Sequence, residues 1–317
     1  MASSKDDLEL DSVVRCGLGL AAQDRAGALA AARCAEPLGF DSLWASDHLA
    51  FHVPVPESLT LLAFAAAATQ RIALGTAVYL VPLRHPVLIA KQAATLDALC
   101  EGRFVLGVGI GGEYPPEFDA VGVPVHERGA RTDEAIPLLR RLWSERDVVH
   151  AGRFFRLGPV TIEPRPQRPG GPPIWVGGRA PRALRRAGRL GDGYISHMVS
   201  PEHYQANLAT IAGHAREVGR GGRRFATAAF LFTALGSRFE DAHAAAAKAL
   251  ARVYARPFED AARKYCLLGR PEDCLEQMRR FCRVGVRHFI LSPLGDAEAF
   301  AERIASEVLP ELAGLVC

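Results

Sequence analysis

The sequence predicts a closed (β/α)8 TIM barrel, and three observations predict it. Short apolar segments rich in Val, Ile and Leu alternate with helical segments along nearly the whole chain, the pattern of a parallel sheet joined by crossover helices. The strand-like segments number eight, which is the count that closes such a barrel. Glycines and polar side chains gather just after several of these segments, at the strand ends where barrels keep their chemistry. An open, doubly wound sheet is the alternative reading of the same alternation. The domain reading is a flexible, polar N-terminus at 1–12 and a single barrel domain over 13–317, a length that suits one large barrel.

Each element follows from local pattern. Residues 13–20 read as the first strand, and Asp24 is placed to cap a helix over 26–38 that Gly39 ends. Residues 40–45 form a second strand that runs into Ser46-Asp47-His48. An alanine-rich helix over 57–69 precedes a third strand, 72–80, whose end carries Thr76, Ala77 and Val78. Pro86 opens the next helix, where its missing N–H costs nothing. In the fourth strand, Val105, Leu106, Val108 and Ile110 make an apolar run that suits burial on both faces. Gly107, Gly109, Gly111 and Gly112 let that backbone approach something flat or anionic, and Glu113 closes the stretch.

After a long loop over 111–129, a helix over 131–143 presents Ile136, Leu139 and Leu142 on one face. Residues 147–173 break the rhythm and read as an insertion holding a short hairpin. The alternation then resumes with a fifth strand at 172–178, a sixth at 193–195, a seventh at 225–235 and an eighth at 287–292. Helices are expected over 181–190, 202–219, 240–254, 271–283 and 297–309.

Composition narrows the function. A net charge of only +3 argues against nucleic acid as a partner. The longest apolar run, 59–68, is too short to span a bilayer, and the N-terminus lacks a signal-peptide pattern. Seven cysteines with no CxxC pair fit a reduced, cytoplasmic protein. Asp47, His48 and His52 are close in sequence, yet no HxH or HExxH spacing accompanies them, so no metal is expected. No GxSxG motif for nucleophilic hydrolysis occurs.

His48 is a candidate proton donor or acceptor, because its charge changes near neutral pH, and Asp47 or a nearby carboxylate could orient it. The plain alternative is a surface histidine in a loop. Gly177-Gly178-Arg179 stands before a helix start, where free N–H groups attract phosphate and Arg179 adds charge; an ordinary tight turn has the same composition. The glycines from Gly107 to Gly112 lack dinucleotide spacing into a helix, since Pro115 and Pro116 follow, and suit a backbone platform against a planar ring. Glu113 is either a polar group of the site or a solvated loop carboxylate.

Taken in order, the motifs resemble a known family. The segment Gly39-Phe40-Asp41-Ser42-Leu43-Trp44-Ala45-Ser46-Asp47-His48 is similar to the second-strand motif of the bacterial-luciferase-like flavin oxidoreductases. It is most similar to their deazaflavin-dependent branch, which uses coenzyme F420. Segments 71–78, 103–109, 117–124, 127–134, 173–178, 191–194 and 285–291 continue the resemblance in register, over roughly residues 13–312. The resemblance implies a barrel with insertions, commonly a homodimer, and a flavin or deazaflavin lying across the strand ends. It places Asp47 and His48 at the ring-contacting, proton-handling pair. It also places a non-proline cis peptide at Ala77-Val78 and the phosphate turn at Gly177 and Gly178, with Glu113 the loosest correspondence.

The resulting expectation is a cytoplasmic oxidoreductase that uses F420 for hydride transfer to or from a small organic substrate, with His48, Asp47 and Glu113 in the chemistry. Thr76, Ala77, Val78, Gly107, Gly109, Gly111, Gly177, Gly178 and Arg179 would hold the cofactor together with Asp47 and His48. An FMN-dependent monooxygenase on the same scaffold and a non-catalytic flavin-binding protein are the alternatives. Phe51, His52, Tyr79, Tyr114 and His197 are expected to face the substrate, with 111–129 and 147–173 as lids.

Overall fold

A computed structural model of the chain describes residues 8–20 and 22–314. The strand β1 (Arg15–Gly19) leads to α1 (Arg25–Ala35), and β2 (Ser42–Ala45) to α2 (Ser58–Ala66). Then β3 (Ala73–Thr76) and β4 (Tyr79–Leu80) precede α3 (Pro86–Leu99). The next strand, β5 (Phe104–Gly109), leads through the single turn α4 (Pro116–Asp119) to α5 (Arg128–Ser144). A hairpin of β6 (Val148–Ala151) and β7 (Arg156–Val160) follows. The alternation resumes with β8 (Ile174–Gly177), α6 (Pro181–Leu190), β9 (Gly193–His197), α7 (Pro201–Arg216), β10 (Ala226–Leu235) and α8 (Phe239–Tyr254). Last come α9 (Glu259–Tyr265), β11 (Leu267–Gly269), α10 (Pro271–Arg283), β12 (His288–Pro293), α11 (Ala297–Glu307) and α12 (Leu309–Ala313).

Eight of these strands form a parallel ring in the order β1, β2, β3, β5, β8, β9, β10, β12. Closure comes from Arg15 opposite His288 on one side and Ala226 opposite Gly193 on the other. The barrel is closed, and the open sheet is ruled out.

Local chemistry explains most element boundaries. Asp24 caps α1 by accepting the Gly27 N–H at 2.8 Å, and Glu57 caps α2 by accepting the Thr60 N–H at 2.7 Å. Pro86 occupies the first turn of α3. The third strand differs from its expected span of 72–80. It stops at Thr76, passes through a cis Ala77-Val78 peptide, and resumes as β4 beside β5. The elements α4, α9 and β11 were not expected, because each is too short to show a periodicity.

The interior has two layers. Between barrel and helices lie Leu74, Ile89, Leu139, Ile174 and Phe289, all fully buried. Inside the barrel, Trp44, Val105, Trp175, Ile195, Ala228 and Ile290 fill the space. Glycine at position 17 makes room for Trp44, since a Cβ there would lie 2.6 Å from the indole Nε1. At the floor, Ser42 Oγ accepts the Trp44 Nε1–H at 2.7 Å and shares a 2.7 Å hydrogen bond with His288 Nε2. Burial pushes the His288 imidazole down to about 3, so it stays neutral.

Of the stretch 1–12 expected to be flexible, residues 1–7 lie outside the described residues, and the rest is pinned to the floor. The Glu9 N–H donates to the Arg223 carbonyl, and its own carbonyl accepts the Phe225 N–H at 2.8 Å. Asp11 pairs with Arg15 and Arg224, which hold its carboxyl below the usual range against the opposing effect of burial. The insertion is also anchored. Glu134 of α5 accepts the N–H groups of Phe154 and Phe155, both at 3.0 Å, which clamps the tip of the hairpin to the helix.

Candidate active site

A cavity of about 230 Å³ opens at the C-terminal mouth of the barrel. Seven segments build it. Ser46, Asp47 and His48 follow β2, and Ala77, Val78 and Leu80 come from the bulge and β4. Gly109, Ile110, Gly111 and Glu113 follow β5, and Gly177 and Gly178 follow β8. Ile195 and His197 belong to β9, Phe230 and Phe232 to β10, and Tyr254 ends α8 above them.

His48 has the geometry of a proton-transfer group. Its Nδ1 lies 3.2 Å from Glu117 Oε2, and the Glu117 carboxylate is fully buried. The same oxygen accepts the Leu49 N–H at 3.1 Å, so Glu117 acts as an acceptor and Nδ1 as the donor. No hydrogen bond engages Nε2 among the described residues, and His48 lines the cavity. The ring is stacked on Phe51 at 3.9 Å between centroids, which fixes its plane.

Asp47 does different work. Its carboxylate accepts from Ser58 Oγ at 3.1 Å, the Leu80 N–H at 2.9 Å, and both terminal nitrogens of Arg84 at 2.6 and 2.9 Å. Four donors occupy its oxygens, and the Arg84 pair is bidentate. Asp47 therefore ties the end of β2 to β4 and to the turn before α3, at the edge of the cavity.

Val78 forms the cavity floor, and glycines surround it. A Cβ at Gly109 would run into Val78 Cγ2, and one at Gly177 would lie 2.7 Å from Val78 Cγ1. Gly178, at φ +130°, opens the path toward the start of α6. Beyond Ile110, which borders both spaces, lies a second cleft of about 900 Å³. It is lined by Arg128, Arg182, Arg185, Arg186 and Arg189. Arg186 is already paired with Asp133 at 2.6 Å, whereas the Nε of Arg128 is buried with no partner among the described residues. A flat ring on Val78, an anionic group at Gly177-Gly178 and negative charge along the arginines fit these shapes.

The wall opposite His48 is aromatic. His197 meets Phe230 and Phe232 edge-on at 5.6 and 5.7 Å, and its Nε2 lies 3.4 Å from the Tyr254 hydroxyl. Burial, helped by the Arg179 charge, pushes the His197 imidazole down to about 4.

The family model for luciferase-like monooxygenases matches residues 11–309. The chain belongs to this family. F420-dependent glucose-6-phosphate dehydrogenase of Intrasporangium calvum is 32% identical over 89% of this chain and 93% of its own length. The enzyme of the same name from Nakamurella multipartita is also 32% identical, over 89% and 91%. A monooxygenase from Streptomyces bottropensis shares the fold at a TM-score of 0.82 and 28% identity, covering 94% of this chain and all of that one. An F420-dependent secondary alcohol dehydrogenase, solved with an F420–acetone adduct, matches at a TM-score of 0.84 and 21% identity over 95% and 99%, a likeness of fold.

For this luciferase-like chain, the structure brings His48, Asp47, Ala77, Val78, Gly109, Gly111, Glu113, Gly177 and Gly178 to one cavity. Glu113 stands exposed at its rim. Three expected cofactor residues lie elsewhere. Thr76 Oγ1 donates to the Gly107 carbonyl at 2.7 Å, so both sit one layer below the cavity and brace the bulge. Arg179 does not line the cavity and donates to the His197 carbonyl at 3.2 Å, while the arginines of α6 line the second cleft. Tyr79, expected to face the substrate, is fully buried beneath Arg84 at 4.2 Å. Phe51, His52 and Tyr114 do cluster at the mouth, with ring centroids 4.8 to 6.0 Å apart. No residue of 147–173 lines the cavity, whereas the 111–129 loop supplies Glu113 to the wall and Glu117 to His48. Glu117, Arg84 and Tyr254 were missed as site residues. Glu117 lies inside a motif of the resemblance, but nothing in its neighbourhood assigns it to His48.

Proposed function

We propose that this protein is an F420-dependent oxidoreductase that interconverts a small alcohol and its carbonyl compound, with His48 as the proton-handling residue. The observation that carries the reading is the His48–Glu117 pair, which presents Nε2 to a cavity floored by Val78. The F420-dependent relatives, 32% identical over most of the chain, support the choice of cofactor. Val78 and the backbone from Gly109 to Gly111 would carry the ring, Gly177 and Gly178 the phosphate, and the arginine cleft the anionic end of the molecule. Bound there, the deazaflavin supplies the carbon that accepts or returns a hydride, and the protein is left one proton to manage.

In the oxidation direction, Nε2 of His48 takes the hydroxyl proton while Glu117 holds the tautomer that makes this possible. The aromatic wall of Phe230, Phe232 and Tyr254 lines the cavity with apolar surface. Asp47 acts by position, holding β4 and hence Val78 in place through Leu80 and Arg84. A cytoplasmic homodimer belongs to the same reading. Exposed Phe64, Leu88 and Leu99 on α2 and α3 support the dimer, which sedimentation would test.

Fluorescence titration of the purified protein with F420 and with FMN tests the cofactor. Saturable binding of F420 and weak binding of FMN is the expected result. The reverse order would favour an FMN-dependent monooxygenase; the Streptomyces bottropensis protein of the same fold is a monooxygenase. His48→Ala should lower kcat by about 10²–10⁴-fold with F420 affinity retained. Unchanged turnover would remove His48 from the chemistry.

A further inference from the structure

The two dehydrogenases from Intrasporangium calvum and Nakamurella multipartita are named for glucose 6-phosphate, a dianion, and the cavity of this chain is lined differently from what a dianion needs. None of the described residues lining it carries a guanidinium or an ammonium group. Three cations stand near the cavity without lining it. Arg84 is locked to Asp47, Arg179 donates to the His197 carbonyl, and Arg256 lies against the rings of Tyr254 and Phe258 at 5.8 and 5.5 Å. Among the described residues that line the cavity, the exposed charge is the carboxylate of Glu113, which repels a phosphate. The arginine cleft lies past Ile110, on the side of Gly178 and the start of α6.

What the cavity does offer is ring surface. Phe230 and Phe232 meet edge-on at 5.2 Å, Phe232 reaches Tyr254 at 6.3 Å, and Tyr254 reaches Phe51 at 6.0 Å. Phe51 then stacks on His48, which closes an aromatic path from one wall to the proton-handling group. His197 adds no charge, because burial holds it neutral. A volume of about 230 Å³ that must also admit the edge of a ring leaves little space for a substrate, against about 300–1,000 Å³ for common ligand pockets. A dianion placed here would lose its hydration with no cation among the described lining residues to pair with it directly, and burying a charge without such a pair is costly.

We infer that the substrate is a small, uncharged alcohol or ketone with an apolar or aromatic body, and that phosphorylated sugars are excluded. The inference rests on the F420 reading above, and binding separates the two. Protein loaded with F420 is titrated with cyclohexanone, with acetophenone and with glucose 6-phosphate, and the fluorescence of the bound deazaflavin is followed. A saturable response to at least one ketone and none to the sugar phosphate is expected. A saturable response to the sugar phosphate, or no response to either ketone, overturns the inference. Failure of F420 itself to bind overturns the reading beneath it and the inference with it. Phe232→Ala should weaken the ketone response about tenfold, more than it weakens F420 binding, since the lost ring belongs to the aromatic wall and not to the Val78 floor. An unchanged ketone response in that variant takes the aromatic wall out of recognition and overturns the inference as well.

Discussion

Two histidines stand at opposite ends of one barrel. His48 is at the mouth, His288 at the floor, and each has a polar partner within hydrogen-bonding distance and an aromatic ring against it. Their partners separate them. His48 has a buried carboxylate on Nδ1 and an open cavity in front of Nε2. His288 has a serine hydroxyl on Nε2 and two tryptophans around it, at 5.4 Å each. A histidine becomes a proton-transfer group when a carboxylate selects its tautomer and its other nitrogen has somewhere to send the proton. Burial with a neutral partner makes it a core residue with a hydrogen bond.

The largest effect expected at the mouth is on stability. Arg84→Ala leaves the Asp47 carboxylate buried and stripped of its bidentate partner. Breaking a buried ion pair from one side costs about 3–5 kcal/mol, read from the shift of the urea unfolding midpoint at constant m. Arg84→Lys should recover part of it, since one ammonium replaces one of two parallel bonds. A loss no greater than that of an exposed pair, about 1 kcal/mol or less, would mean that Asp47 is reached by water and is not the brace described.

A smaller effect is expected on the His48 side. Glu117→Gln keeps the shape but permits the amide to present either end to Nδ1, so the tautomer is no longer selected. Loss of such an orienting partner costs about 10–100-fold. The loss should fall on kcat, with KM and F420 affinity nearly unchanged, because Glu117 does not line the cavity. Equal losses in kcat and F420 affinity would instead make Glu117 a support for the loop alone.

The same contrast explains which parts of the site were legible in the sequence. Asp47 and His48 are adjacent, and the glycine turns after β5 and β8 are contiguous, so local pattern exposes them. The eight-strand barrel was legible for the same reason, because each β-α unit is written in one stretch of chain. Partners are written far apart. Glu117 is 69 residues from His48, and Arg84 is 37 from Asp47, and no periodicity links them. Thr76 and Gly107 sit at the right strand ends yet satisfy each other one layer down, a matter of register that the alternation does not reveal. Arg179 has the right charge at the right turn, but its side chain reaches toward β9 while α6 presents its arginines to the cleft.

The smallest effect concerns the floor, and pH reveals it. Burial, with a lesser push from the Arg15 charge, holds His288 at about 3 in the folded protein, below its ordinary 6.5. The unfolded chain therefore binds a proton there that the folded chain refuses. Stability from this group is complete above about 6.5 and is lost as pH falls toward 3, at about 1.4 kcal/mol per pH unit. His197 acts in the same direction, and below about 4.5 the carboxylates of Asp11, Glu36 and Glu134 add to the loss, since their partners hold them below the usual range. Burial raises the carboxyls of Asp41 and Asp97, which act in the opposite direction in the same range, so the share of His288 between about pH 4.5 and 6.5 is read as the difference between wild type and His288→Gln. The variant should unfold more easily than wild type at pH 7 and show a pH slope flatter by one proton in that interval. A slope equal to that of wild type would mean that His288 takes up its proton in the folded state, and the floor would then resemble the mouth.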